Sequence, residues 1–294
     1  MEDRIEIFAD THEPGSLEMM LGFLDHNSPS GNAYSTGDHI PSGMKGPDRE
    51  LCDKLRKEKG ITDVQPALVK AYEEDPEFRR ASDEHYQKTI ANMAMRRQAL
   101  KRWMNKSPIY SCPGNQDYAV SKKMSERYGA GDVFEAAIGT MLVFIQDVSL
   151  FREGNIGVLL VPYTPSLKKY TFEEAKEKLA EKRFKERDGS SLKGVKRFLL
   201  LSHQSIDCTA MGLPEKKRDT YTDPGNRALI THYYEFARNI VGPENVQMVH
   251  GHHHTPYMQY EFNGSRVHNL DIGDLLLVDP KTGETEVKHV LQRF

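Results

Sequence analysis

Five short apolar runs in this chain each stop at an aspartate, an asparagine or a histidine, and that repetition constrains the fold more than any other feature. The strongest case is Val246 to Val249, which runs into His250-Gly251-His252-His253-His254. Four of those five residues are histidine, in a chain with 12 histidines. Glycine lets the backbone turn sharply, and alternate residues of an extended segment point the same way. His252 and His254 can therefore face one point in space, which suits imidazoles that bind neighbouring cations. The run before them reads as a buried strand that delivers the turn to a sheet edge. A solvated loop can also be rich in histidine, so the meaning of this tract depends on the other four runs.

The first run, Ile5 to Ala9, ends in Asp10-Thr11-His12, a carboxylate and an imidazole placed to share one metal. Leu17 to Leu24 then reads as a helix with Ser16 as its N-cap. A second strand, near Ala33 to Ser35, ends in Thr36-Gly37-Asp38, where the glycine permits close backbone approach. The third, Pro108 to Cys112, leads into Pro113-Gly114-Asn115-Gln116-Asp117, and the Asn115 amide oxygen is an acceptable ligand for a hard cation. Phe198 to Leu201 is apolar throughout, as a strand buried on both faces should be, and ends in Ser202-His203-Gln204.

The remaining segments are scaffold. Residues 47–106 are strongly helical and charged, with Ile90, Met93, Leu100 and Met104 at helical spacing and Trp103 as a packing anchor. Arg79, Arg80, Arg96, Arg97, Lys101 and Arg102 make this stretch locally basic, either as a solvated face or as a cap over a phosphate-bearing ligand. A helix is expected near Val120 to Tyr128, followed by β-rich runs at Met141 to Val148 and Ile156 to Val161, punctuated by Gly154, Pro162 and Pro165. Thr171 to Arg187 reads as one charged helix, opened by a Thr171/Glu174 capping box. Ala228 to Ile240 is another helix, and Asn263-Gly264 and Lys281-Thr282-Gly283 mark hairpin turns near the C-terminus. No repeat or interdomain linker interrupts the 294 residues, so a single domain with an insert at 47–106 is expected.

A hydrophobic content of 38% and a net charge of −3 give no global signature for nucleic acid or membrane. Cys52, Cys112 and Cys208 are too dispersed for a disulfide framework and read as buried thiols. The N-terminus enters a strand at once, leaving no room for a signal peptide, and no apolar run reaches membrane-spanning length. A cytoplasmic protein without a membrane partner is the expectation.

In open α/β sheets, ligands gather at the carboxyl ends of strands. Asp10, His12, Asp38, Asn115, His203, His252 and His254 could converge in that way. Seven mixed N and O ligands are too many for one tetrahedral zinc. They suit two divalent ions bridged by a carboxylate, an arrangement that clamps both oxygens of a phosphoryl displacement.

In this order the motifs resemble those of the calcineurin-like metallophosphoesterase superfamily. Its pattern of Asp-x-His, Gly-Asp, Gly-Asn-x-Asp/Glu, a lone His after an apolar strand, and Gly-His-x-His stands here as Asp10-Thr11-His12, Gly37-Asp38, Gly114-Asn115-Gln116-Asp117, His203 and Gly251-His252-His253-His254. The resemblance runs from residue 5 to about 280, apart from the helical insert. It implies an α/β (α+β) fold, a four-layer αββα sandwich with a dinuclear site at one edge. Asp10, His12 and His254 would hold one metal, Asn115, His203 and His252 the other, and Asp38 would bridge them. Asp38, Asn115 and His203 would be the catalytic members, and a water or hydroxide between the ions would be the nucleophile. The ligand set suits Mn, Fe, Zn, Co or Ni, with Mn favoured. A phosphate ester is the implied substrate, with a nucleotide or nucleic acid among the candidates, and the oligomeric state is left open.

Two departures bear on mechanism. Many members carry a histidine where Gln116 stands, and glutamine cannot deliver a proton at neutral pH. His39 or His253 could take that role, although each reads more simply as a supporting or solvated histidine. Pro41 occupies the position of a supporting acid in the frequent Gly-Asp-x-x-Asp form. Two other readings stand beside the leading one of a phosphodiesterase. Leu200-Leu201-Ser202-His203-Gln204-Ser205 resembles the fourth motif of double-strand-break repair nucleases in the superfamily. A non-catalytic scaffold for protein binding is the reading from a different class.

Overall fold

The computed structural model describes residues 4–11, 16–27, 33–39, 46–60, 65–100, 109–115, 117, 142–179, 184–187, 191–207, 209, 211, 223–253 and 255–290. In chain order the first elements are β1 (Ile5–Phe8), α1 (Ser16–Asn27), β2 (Ala33–Ser35), α2 (Pro47–Lys59), α3 (Gln65–Glu74), α4 (Pro76–Leu100), β3 (Ile109–Ser111) and β4 (Leu142–Phe144). There follow β5 (Ser149–Glu153), β6 (Ile156–Val161), α5 (Phe172–Leu179), β7 (Lys185–Glu186), β8 (Arg197–Ser202) and α6 (Pro224–Val241). The chain closes through β9 (Val246–His250), β10 (Met258–Phe262), β11 (Ser265–Asn269), β12 (Asp274–Val278) and β13 (Thr285–His289).

These strands build two mixed sheets, so the fold is mixed α/β. One sheet has the order β13-β12-β1-β2-β3-β4 and the other β10-β11-β9-β8-β6-β5-β7. In the first, β1 to β4 run parallel, with β12 antiparallel to β1. In the second, β6, β8, β9 and β11 run parallel. Parallel neighbours end at the same edge of a sheet, and this brings the motif-bearing loops together.

Strand side chains alternate between faces, and β8 shows what that does to the core. Leu199 and Leu201 join a cluster with Ile5, Ile7 and Ala9 from the first sheet, so one apolar layer lies between the sheets. Phe198 and Leu200 point the other way, into a cluster with Ala228, Leu229, Tyr233 and Ala237 of α6 and Ala175 and Leu179 of α5. A strand covered on both faces has to be apolar at every position, as this one is. Burying each such side chain contributes roughly 1.5–3 kcal/mol. In α6, Asp223 caps the N-terminus by accepting from the Gly225 and Asn226 N–H groups at 3.1 and 3.3 Å. In α1, Leu17, Met20, Leu21 and Leu24 are buried, which is the spacing of a single helix face.

The insert forms three helices over its described part, as far as Leu100. Leu55 and Leu68 make its own small cluster with Leu51, Cys52, Ala67 and Phe78. Asp75 breaks the helical run there, because its side chain accepts from Glu77 and Phe78 N–H and Pro76 starts α4. Cys112 is a buried thiol as expected, whereas Cys52 is only half-buried. The expected helix at 120–128, Trp103 and Cys208 lie outside the described residues. Among the described residues no helix is long and apolar enough to cross a membrane.

Two expected elements are corrected. The β-rich run at 141–148 is strand only over Leu142–Phe144, and the next strand starts at Ser149, paired antiparallel with β6. The helix opened at Thr171 does have its capping box, with the Thr171 N–H donating to Glu174 at 2.8 Å and the Glu174 N–H to Thr171 Oγ1 at 3.3 Å. Its described part runs to Leu179, and Lys185–Glu186 are not helix but pair with Ser149 and Leu150. β9 also lies inside its sheet, between β11 and β8, so the histidine turn follows the carboxyl end of an interior strand.

Candidate metal centre

Asp10 follows β1, Asp38 follows β2 and Asn115 follows β3, all at one edge of the first sheet. His203 follows β8 and His252 follows β9 in the second. Backbone bonds continue the ladders past the strand ends, from Asp10 N–H to Gly37 O at 3.1 Å and from Cys112 N–H to Ser35 O at 2.9 Å. Two further bonds join the sheets. The His252 N–H donates to Asp10 Oδ2 at 2.6 Å, and His203 Nδ1 lies 3.1 Å from Thr36 O.

Asp38, His203 and His252 each present one ligand atom, all within 4.8 Å of one another. His203 Nε2 is 3.3 Å from Asp38 Oδ2 and 2.8 Å from Asn115 Oδ1. A carbonyl oxygen only accepts, so Nδ1 carries the proton that donates to Thr36 O. Nε2 is thereby turned toward the Asp38 carboxylate, which also only accepts. Such an arrangement needs a cation at that point, either a proton or a metal ion.

The electrostatics agree. Asp10 and Asp38 are fully buried, and among the described residues Asp10 Oδ1 has no hydrogen-bond partner. Burial pushes the Asp10 carboxyl well above its ordinary range; the charge of His203 opposes this and that of Asp38 adds to it. Burial alone would lower the His203 pKa, but Asp38, with help from Asp10 and Asp117, raises it overall. Two buried carboxylates and oriented imidazoles make a site short of positive charge, and divalent cations remedy that.

The backbone is bent to serve this geometry. Among described non-glycine residues, positive φ occurs at Asp10 (50°), Asp38 (55°), His252 (76°) and Asn263 (49°), the last in the β10–β11 hairpin turn. Two glycines are required by close approach. A Cβ on Gly114 would lie 2.0 Å from Asp38 Oδ1, and one on Gly251 would lie 2.4 Å from Asp10 Oδ2.

Of the seven expected ligands, Asp10, Asp38, Asn115, His203 and His252 come together, while His12 and His254 lie outside the described residues, as do Gln116 and Pro41. Asp117 has a role that sequence reasoning did not assign. Its buried carboxylate accepts N–H groups from Asp38, His39 and Gly114, each at 2.9 Å, and so ties the second strand end to the third. His39 and His253 are not solvated; their exposures are 0% and 6%. The His253 ring packs edge-on between those of His250 and His252.

No family model matches the chain, and no curated protein matches it. Among solved structures, 27 chains match, so the fold recurs. One crystal structure aligns over 99% of this chain and 100% of its own, with a TM-score of 0.54 and 9% sequence identity, a likeness of fold alone.

Proposed function

We propose that the protein is a dinuclear metal-dependent phosphoesterase, acting on phosphodiesters, on the four-layer αββα sandwich of the calcineurin-like superfamily. The observation that carries this reading is the His203 ring, held by Thr36 O with Nε2 against Asp38 and Asn115 beside His252. Asp10, His12 and His254 would hold one cation, Asn115, His203 and His252 the second, and Asp38 would touch both. Two divalent ions, Mn2+ favoured, would supply charge neutralisation on phosphoryl oxygens and a lowered pKa for the attacking water. The protein's own part is to orient the ligands through Thr36 O, Asp117 and the His252 N–H, and to keep Asp10 and Asp38 out of bulk water. His39 is sealed off from any leaving group and Gln116 cannot donate a proton, which favours diesters whose leaving groups need little protonation. Among the described residues Cys52 and Cys112 are free thiols, which fits a cytoplasmic setting.

The test is hydrolysis of bis-p-nitrophenyl phosphate against p-nitrophenyl phosphate with Mn2+, with Asp38→Ala as control. Faster turnover of the diester, lost in the variant, is expected. Preference for the monoester would replace this reading with a phosphatase that has another proton donor. No turnover, with no Mn2+ retained, would leave the scaffold.

A further inference from the structure

The geometry points to His39 as a positioning residue that sets the spacing of three strand ends around the cation site, an inference that rests on the metal-centre reading above. The backbone turns through the left-handed region at Asp38, and the next side chain goes back into the protein, where it is fully buried. Its Nδ1 lies 2.6 Å from Thr11 Oγ1, and its Nε2 lies 2.9 Å from Ser35 Oγ and 2.8 Å from Ser111 Oγ. Its backbone N–H donates to Asp117 at 2.9 Å.

These partners come from different strands. Thr11 sits between Asp10 and His12, Ser35 is the last residue of β2, and Ser111 is the last residue of β3 on the way to Asn115. One imidazole therefore touches the segments that deliver Asp10, Asp38 and Asn115. The hydroxyls can each donate or accept, so a neutral ring is satisfied in either tautomer. The β1–β2 ladder ends at Phe8 and Ser35, and beyond it the strands are linked by the backbone bond from Asp10 N–H to Gly37 O and by the side-chain bonds of His39. Metal ligands must be held to within about 0.5 Å of productive geometry, and supporting hydrogen bonds do that. An apolar residue here would leave three hydroxyl groups to find other partners and would remove the side-chain tie between the first strand end and the other two. Because both nitrogens are engaged and the ring is buried, His39 acts through the ligands and does not touch substrate.

The test compares His39→Gln, which keeps reach to the two serines, with Thr11→Val, which removes the Nδ1 partner and keeps the ring. Mn2+ affinity is read by titration calorimetry, ligand geometry by the Mn2+ electron paramagnetic resonance signal, and folding by the melting temperature of metal-free protein. In His39→Gln, Mn2+ binding is expected to weaken about 10- to 100-fold with an altered resonance signal, while the metal-free melting temperature moves little. Thr11→Val should move the same way by less. Wild-type affinity and signal in folded His39→Gln would overturn the inference and leave the metal centre standing. If His39→Gln does not fold, Thr11→Val and Ser111→Ala decide by the same readouts. Wild-type protein that takes up no Mn2+ would sink the metal centre and this inference together.

Discussion

Asp10, Asp38 and His252 hold a backbone conformation that costs an L residue roughly 1–3 kcal/mol. Asp10 adds a second cost. Burial raises its pKa from the ordinary 3.8 to about 8, so the fold disfavours the charge that the unfolded chain carries at neutral pH. A carboxyl with a raised folded pKa lowers stability at every pH above its unfolded value, and the deficit grows until the folded group also ionises. In metal-free protein at pH 7, Asp10→Asn is therefore expected to raise the melting temperature by several degrees. Added Mn2+ should stabilise wild type more than the variant. Differential scanning calorimetry with EDTA and with Mn2+ checks both. A lower melting temperature for metal-free Asp10→Asn would mean the carboxylate is stabilising the empty fold.

Among the elements, β11 carries a titrating group that is not one of the proposed cation ligands. His268 is fully buried, with Nδ1 3.0 Å from the Tyr257 hydroxyl. Burial, aided by the charges of Arg266 and His250, pushes its pKa down to about 4. The ring is then neutral in the fold but charged in the unfolded chain below about 6.5. Stability from this group is intact above that pH and declines toward pH 4, by roughly 3 kcal/mol at the bottom of the window. Urea midpoints at pH 7 and pH 4.5 should differ less in His268→Gln than in wild type. An equal drop in both would assign the acid sensitivity elsewhere.

The strand ends were legible because apolar runs stop where the chain meets Asp, Asn or His, and the Thr171 cap was legible because its partner is three residues away. The end of α5 was not. Residues 180–187 have helix-favouring composition, yet Lys185 and Glu186 take β5 as a ladder partner, and a tertiary pairing overrides local propensity. The roles of Asp117 and His39 were hidden for a related reason, since their partners lie as far as 79 positions away.

Taken whole, the molecule is two sheets joined at their carboxyl edges by the hydrogen bonds of the proposed cation site as well as by the apolar layer between them. Removing bound metal should therefore loosen both sheets at that end together. Chelation is expected to lower the melting temperature, with about 2.7 kcal/mol lost if the metal had stood at 100 times its Kd. Amide exchange should quicken at residues 9–11, 36–39, 203–205 and 251–253, while α2 to α4 keep their protection. Exchange that quickens in only one sheet would mean the site does not couple them.

The bond between the His252 N–H and Asp10 spans 242 positions of chain. During translation Asp10 and Asp38 emerge early, and the histidine turn at 250–254 follows Asp10 by roughly 12 to 50 seconds of further elongation. A nascent chain can present carboxylates to a passing ion throughout that interval, but it cannot close around one. Loading of the proposed centre would thus wait until the histidine turn after β9 has been made, and the choice of metal would fall to a chain that already carries its other ligands.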